Sequence, residues 1–189
     1  CLAKEYINKI PFTIKQRTVP LKENHWIPQA DFDTILSHMP NQYAVWCKVA
    51  YYTGLRLCEL RTNPEHRLFH TIKRVDDAWQ LDVRGKGGRR RLNILPDWLY
   101  PDYKIMISKQ YHHHTISKHF KKACRLAGFD THYFHEIRHS CGSNLLLNKV
   151  DFFTVSKVMG HSNPKTTIRY TNDITLGWEK LLETQRTEA

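Results

Sequence analysis

Hydrophobic positions recur at steps of three and four along most of this chain, and at steps of two in one central stretch. The first helical pattern begins at Pro28, a residue suited to an opening turn, runs through Phe32, Ile35 and Leu36, and stops before Pro40. A second covers 42–52 and buries Trp46, Val49 and Ala50. Thr53-Gly54 interrupts it, and residues 55–60 start a new helical turn with Arg56 at its beginning, where unpaired N–H groups favour an anion; taken alone, Arg56 reads rather as a surface arginine paired with Glu59 or Glu23. From Leu68 to Pro96 the period becomes two. Trp79, Leu81 and Val83 alternate with Gln80 and Asp82, and Leu92 and Ile94 alternate with Arg91 and Asn93, while Asp76-Asp77 and residues 85–88 supply the turns. Three antiparallel strands are expected.

Residues 97–114 carry little pattern, and three consecutive residues, His112, His113 and His114, are not expected to face one ion on a regular element. A helix follows, with Thr115 or Ser117 as its N-cap and Gly128 closing it. The next runs from Phe134 to near Asn148, its stripe made by Phe134, Ile137, Cys141 and Leu145. Asp151 is placed to cap a short helix to Met159, and Asn163-Pro164 to start another that carries Tyr170. The expected fold is α+β and mainly α, with a small three-stranded antiparallel sheet. Residues 1–25 read as a basic linker, 26–173 as the domain, and 174–189 as an amphipathic tail helix bearing Trp178, Leu181 and Leu182.

Charge changes the picture. Lys and Arg number 29 against 18 Asp and Glu, a net charge of +11, and an excess of that size points to a polyanion, nucleic acid first. Five cysteines without a C-x-x-C pair read as buried free thiols of a reducing compartment. No apolar run approaches a membrane span, and the start shows no signal-peptide pattern. Opening on Cys1 rather than Met, the chain reads as part of something longer.

The stretch from Phe134 to Leu147 admits two chemistries. His135 and Arg138, three apart on a helix, share a face, and an imidazole beside a guanidinium fork suits a phosphate. The same residues spell His135-Glu136-x-x-His139, a zinc-peptidase signature with Glu136 as base. In the version of that pattern with a glycine three residues on, Gly142 fits, but the third ligand falls at Leu145; the first downstream glutamate is Glu179. Elsewhere Lys86, between glycines and flanked by Arg84, Arg89, Arg90 and Arg91, can be a proton donor reaching into a site or a solvated basic turn on phosphates.

Taken in order, four segments resemble the boxes of the tyrosine recombinases, the phage-integrase family. Residues 53–60 (Thr-Gly-Leu-Arg-Leu-Cys-Glu-Leu) resemble the first-arginine box, and 85–91 (Gly-Lys-Gly-Gly-Arg-Arg-Arg) the hairpin of the catalytic lysine. Residues 135–139 (His-Glu-Ile-Arg-His) resemble the His-x-x-Arg box. Residues 159–162 with 166–171 resemble the closing box with its histidine and nucleophile. The likeness spans roughly 27–172, with Asn148 where the family usually has glycine, Arg169 as an extra cation, and no N-terminal DNA-clamping domain. It implies the family's helical catalytic domain, acting on double-stranded DNA without metal, ATP or other cofactor.

In that reading Tyr170 is the nucleophile that forms a 3′-phosphotyrosyl link. Arg56 and Arg138 neutralise the phosphate, His135 is base or donor, His161 a further donor, and Lys86 the acid for the leaving 5′-oxygen. Arg84, Arg89, Arg90 and Arg91, with Lys165 and Arg169, are the expected DNA contacts. The implied partners are DNA and further copies in a tetrameric synapse, the tail helix either docking on a neighbouring copy or packing in cis, and the implied setting is the cytoplasm of a prokaryote or a mobile element. A type IB topoisomerase shares the chemistry. The zinc peptidase and a non-catalytic DNA-binding relative are the alternatives.

Overall fold

The structure is a computed structural model that describes residues 26–61, 69–85, 90–161 and 167. The expected linker at 1–25, the Tyr170 helix and the tail helix lie outside the described residues. Two helices open the described part, α1 (Gln29–Ser37) and α2 (Asn41–Thr53). Three strands follow, β1 (His70–Val75), β2 (Ala78–Arg84) and β3 (Arg90–Pro96), paired antiparallel in the order β1-β2-β3. Then come α3 (Tyr100–Ser108), α4 (His113–Leu126), α5 (Phe134–Leu147) and α6 (Phe152–Met159). The fold is mainly helical with one small sheet, as the periodicity implied.

Helix α2 is the centre. Its Trp46, Cys47, Val49, Ala50 and Tyr51 are buried on several sides because α3, α4 and α5 all pack against it. An all-round apolar helix has to be covered this way, since each exposed aliphatic or aromatic side chain would forfeit ~1.5–3 kcal/mol of burial. The segment before α1 is pinned to α5: Ile27 N–H donates to Ser140 Oγ at 2.9 Å, and Trp26 Nε1 to Asn144 Oδ1 at 3.0 Å. Tyr51 Oη closes the link by donating to Ile27 O at 3.0 Å. A smaller apolar cluster of Val155 and Met159 seats α6 on the end of α5.

The sheet corrects one expectation. In β2 the apolar residues Leu81 and Val83 face inward, as the alternation predicts. In β3 the pattern is inverted: Leu92 and Ile94 are 54% and 53% exposed, while Arg91 and Asn93 are buried. Pairing Val83 with Arg91 and Leu81 with Asn93 puts those polar side chains on the inner face. A strand's faces swap with a single-residue shift, so the polar set lies inside only because it finds partners there.

Local signals place most other boundaries to within a residue or two, but α3 forms in the stretch 97–114 where the pattern predicts no element, and two further details differ. Residues 55–60 form a turn and not a helix, so Arg56 gains nothing from a helix dipole. Helix α4 starts at His113, capped by His112, whose Nδ1 accepts from His114 N–H at 3.4 Å. Ser117, expected as a cap, therefore lies inside the helix. Three of the described cysteines, Cys47, Cys124 and Cys141, are buried free thiols, and Cys58 is exposed.

Candidate active site

Gly54 ends α2 at φ +65°, the left-handed region that favours glycine. A Cβ there would stand 3.0 Å from Met159 Sδ and 3.1 Å from Cys141 Sγ, so the chain can reverse against α5 and α6 only without a side chain. The turn that follows presents Arg56, and Glu59 fixes it. Arg56 N–H donates to Glu59 Oε2 at 2.7 Å and Arg56 Nη1 to Oε1 at 3.0 Å. From the opposite side Arg91 Nη1 and Nη2 reach the same two oxygens at 2.9 and 2.5 Å. Burial pushes the Glu59 carboxyl up, but the hydrogen bonds and charge of Arg91, with the N–H and charge of Arg56, outweigh it and hold the carboxyl below its usual value.

Arg138 projects from α5 into the junction of two segments, donating from Nη1 to Gly54 O and from Nη2 to Met159 O. Asn93 braces the same junction one residue back on each side: its Nδ2 donates to Thr53 O at 2.6 Å and to Val158 O at 3.2 Å. Gly160, at φ +61°, then turns the chain where a Cβ would strike Arg91 Cδ at 2.8 Å. His161 follows, its Nδ1 2.8 Å from Thr167 Oγ1.

Four of the six candidate catalytic residues come together. Arg56, His135 and Arg138 line a cavity of about 170 Å³, with Ser117 on its wall. Arg56 also lines an adjoining cleft of about 840 Å³, shared with Gly85, Arg90, Arg91, Lys157 and His161. Lys86 and Tyr170 lie outside the described residues, as do Arg89, Lys165 and Arg169. Arg84 is exposed at the end of β2, and Arg90 is exposed and paired with Asp82. Arg91 departs from the expected solvated basic turn: it is 9% exposed and its fork is committed to Glu59.

Sequence reasoning passed over Glu59, Asn93, Ser117 and Lys157 as site residues. Glu59 was legible three residues after Arg56, but the part taken by Arg91 was not.

Desolvation, then the charges of Arg138 and Arg56, lower the pKa of His135 below its usual 6.5 against the pull of Glu136. A neutral imidazole that can accept a proton is thereby favoured near neutrality. His139 is lowered further, to about 4, by burial first and then by His135 and Arg138.

The peptidase alternative loses its base. Glu136 is buried, its Oε2 2.9 Å from His132 Nδ1 and accepting from Tyr133 N–H at 3.0 Å, a helix-capping role. The histidine trio does converge, contrary to expectation. Because His112 is an extended cap, the ligand atoms of His112, His113 and His114 lie within 4.8 Å of one another. The spot is electropositive, at a helix N-terminus with Arg61 Nη1 2.9 Å from His113 Nδ1, and disfavours a cation.

Residues 96–175 match the phage integrase family. The tyrosine recombinase XerC of Chromohalobacter salexigens is 29% identical over 153 residues, 70% of this chain and 48% of the relative. A tyrosine recombinase of Thermosipho africanus is 31% identical over 138 residues, 64% of this chain and 46% of its own. The chain is similar to the tyrosine recombinases.

Solved recombinase folds agree. The XerH recombinase in its post-cleavage complex with a palindromic difH substrate superposes with a TM-score of 0.68 at 16% identity, over 90% of this chain and 56% of that one. The catalytic domain of bacteriophage HP1 integrase gives 0.58 at 17% identity, over 78% and 86%. The chain spans about half the length of the curated relatives it matches. Its family match covers the third and fourth boxes, whereas Arg56 and the lysine hairpin precede it. Arg56 is tied to that region by the fold, through the cavity it shares with His135 and Arg138.

Proposed function

We propose that this domain cuts and rejoins DNA strands by transesterification through Tyr170. The observation that carries the proposal is the convergence of Arg56, His135 and Arg138, drawn from two segments about 80 residues apart in sequence, on one cavity of about 170 Å³. A phosphodiester fits that space, and its attack by a phenolate gathers negative charge on the non-bridging oxygens, where guanidinium donors are worth most. The P–O5′ bond breaks as the P–O(Tyr170) bond forms, so one phosphoester replaces another and no ATP is required. His135, held neutral, can accept the phenol proton. Lys86 protonates the leaving 5′-oxygen, and His161 donates to the phosphate.

The adjoining cleft, lined by Arg56, Arg90, Lys157 and His161, gives the duplex backbone a basic bed. Relatives whose structures were solved with DNA, among them the XerH recombinase on its difH substrate, support DNA as the partner. Assembly of further copies on DNA and exchange of the tail helix belong to the same proposal. Among the described residues, no helix is long and apolar enough to cross a membrane.

The deciding experiment is a covalent trap. Supercoiled plasmid with EDTA is incubated with the protein or its Tyr170→Phe variant and quenched in detergent. A DNA-linked protein band that requires Tyr170 is the expected result. An adduct that survives Tyr170→Phe, or one that EDTA abolishes, overturns the mechanism.

A further inference from the structure

Ser117 is the one residue of α4 on the wall of the cavity that holds Arg56, His135 and Arg138. It stands five residues into the helix, half-buried, and its hydroxyl makes no hydrogen bond with any described residue. Five other helical hydroxyls behave differently. Thr34, Ser37, Thr53, Ser108 and Ser140 each turn their hydroxyls back onto a carbonyl three or four residues earlier in their own helix. A helical hydroxyl commonly either bonds back in this way or faces open space. An uncommitted hydroxyl facing two guanidinium groups and an imidazole lies where an anion would be held.

From this we infer that Ser117 is a ligand of the phosphate group bound in this cavity, donating its O–H to one non-bridging oxygen. The inference rests on the strand-exchange reading for the identity of the anion, a DNA phosphodiester. The geometry gives Ser117 a task the arginines do not perform. Arg138 is anchored on Gly54 O and Met159 O, and Arg56 on Glu59. Both supply charge from the walls made by α5 and the turn after α2, whereas the hydroxyl stands on the α4 wall and can distinguish the two non-bridging oxygens. A phosphate gripped from both sides has one orientation toward the incoming tyrosine oxygen, which is where positional control acts on rate.

The test uses the full chain with Ser117→Ala and Ser117→Thr. Alanine is the better helix former, so the first variant keeps its fold and its melting temperature. Adduct formation on a nicked duplex is expected to slow about tenfold or more in Ser117→Ala, the size of a lost hydrogen bond to a charged acceptor, and to recover in Ser117→Thr. Replacing each non-bridging oxygen of the scissile phosphate by sulfur in turn is expected to shrink the alanine effect for one diastereomer only. A merely structural role would slow both alike. A second arm reads binding without chemistry: inorganic phosphate is titrated against the His135 imidazole resonances, and Ser117→Ala is expected to weaken binding several-fold. Wild-type protein that forms no adduct but binds phosphate through Ser117 would sink the strand-exchange reading and leave this ligand standing. Equal phosphate affinity in wild type and Ser117→Ala, or equal slowing of both diastereomers, overturns it.

Discussion

Glu59 and Arg91 meet fork to fork across 32 residues of chain, with Arg91 Nη1 2.9 Å and Nη2 2.5 Å from the two carboxylate oxygens. The pair is buried, and the same carboxylate also holds the backbone and side chain of Arg56. A structural ion pair thus sets the position of Arg56 on the cavity it shares with His135 and Arg138.

Removing one member strands the other's charge. Glu59→Gln is expected to cost about 3–5 kcal/mol in urea unfolding, the usual penalty for breaking a buried pair from one side. The double variant Glu59→Leu/Arg91→Leu is expected to recover most of that stability yet form adduct far more slowly, because Arg56 loses its anchor. Recovery of both stability and activity would show that Arg56 needs no such support.

Gly160→Ala meets two obstacles. A non-glycine residue at φ +61° is strained, and its Cβ would lie 2.8 Å from Arg91 Cδ, whose side chain cannot yield while Glu59 grips it. Gly128, at φ +83° with nothing within 4 Å of its added Cβ, is the control that carries backbone strain alone. Gly128→Ala is expected to cost about 1 kcal/mol and Gly160→Ala about 2–4 kcal/mol. Equal losses in thermal unfolding would mean that the contact with Arg91 is inconsequential.

Asn93 is buried in a strand and serves two carbonyls, Thr53 O and Val158 O. Asn93→Val keeps the β propensity but leaves both acceptors short of a donor, at about 1–3 kcal/mol for each group left unsatisfied. The expected outcome is lower stability together with slower adduct formation, since the junction held by Asn93 also seats Arg138. Chemical denaturation and the covalent trap, run on one preparation, check both.

Acid is expected to destabilise the domain in two stages. His139 has a folded pKa of about 4 against an ordinary 6.5, so the unfolded chain takes up a proton first and stability falls as pH drops between those values. His135, lowered in the same direction, adds to that loss. Glu59 is lowered from 4.5, so the stability it contributes is present above that value and fades as pH falls through its folded pKa. Unfolding midpoints measured from about pH 7 downward should decline, and His139→Gln should flatten the part between 6.5 and 4. A flat profile for the unaltered protein would contradict the burial of His139.

Features with local causes were legible along the chain. The stripe of Phe134, Ile137 and Cys141 made α5 a helix and put His135 and Arg138 on one cavity, because three residues make nearly one turn. Asp151 capped α6 through its contact with Thr154 N–H, and Gly54 and Gly160 supplied the left-handed turns on either side of Arg138. The resemblance of the four boxes to one family was legible for the same reason, since each box is a short local pattern.

Which face of β3 lies inside was settled by packing between distant segments. Leu92 with Ile94 and Arg91 with Asn93 alternate equally well, and the hydrophobic rule alone chooses the wrong set. The choice was made by acceptors far away in sequence, the Glu59 carboxylate and the carbonyls of Thr53 and Val158, which repay burial of polar side chains. Ser117 likewise reads as a cap in one dimension and stands beside Arg56 and Arg138 in three. Periodicity reports neighbours three or four residues away; a phosphate site is assembled from segments that only packing brings together.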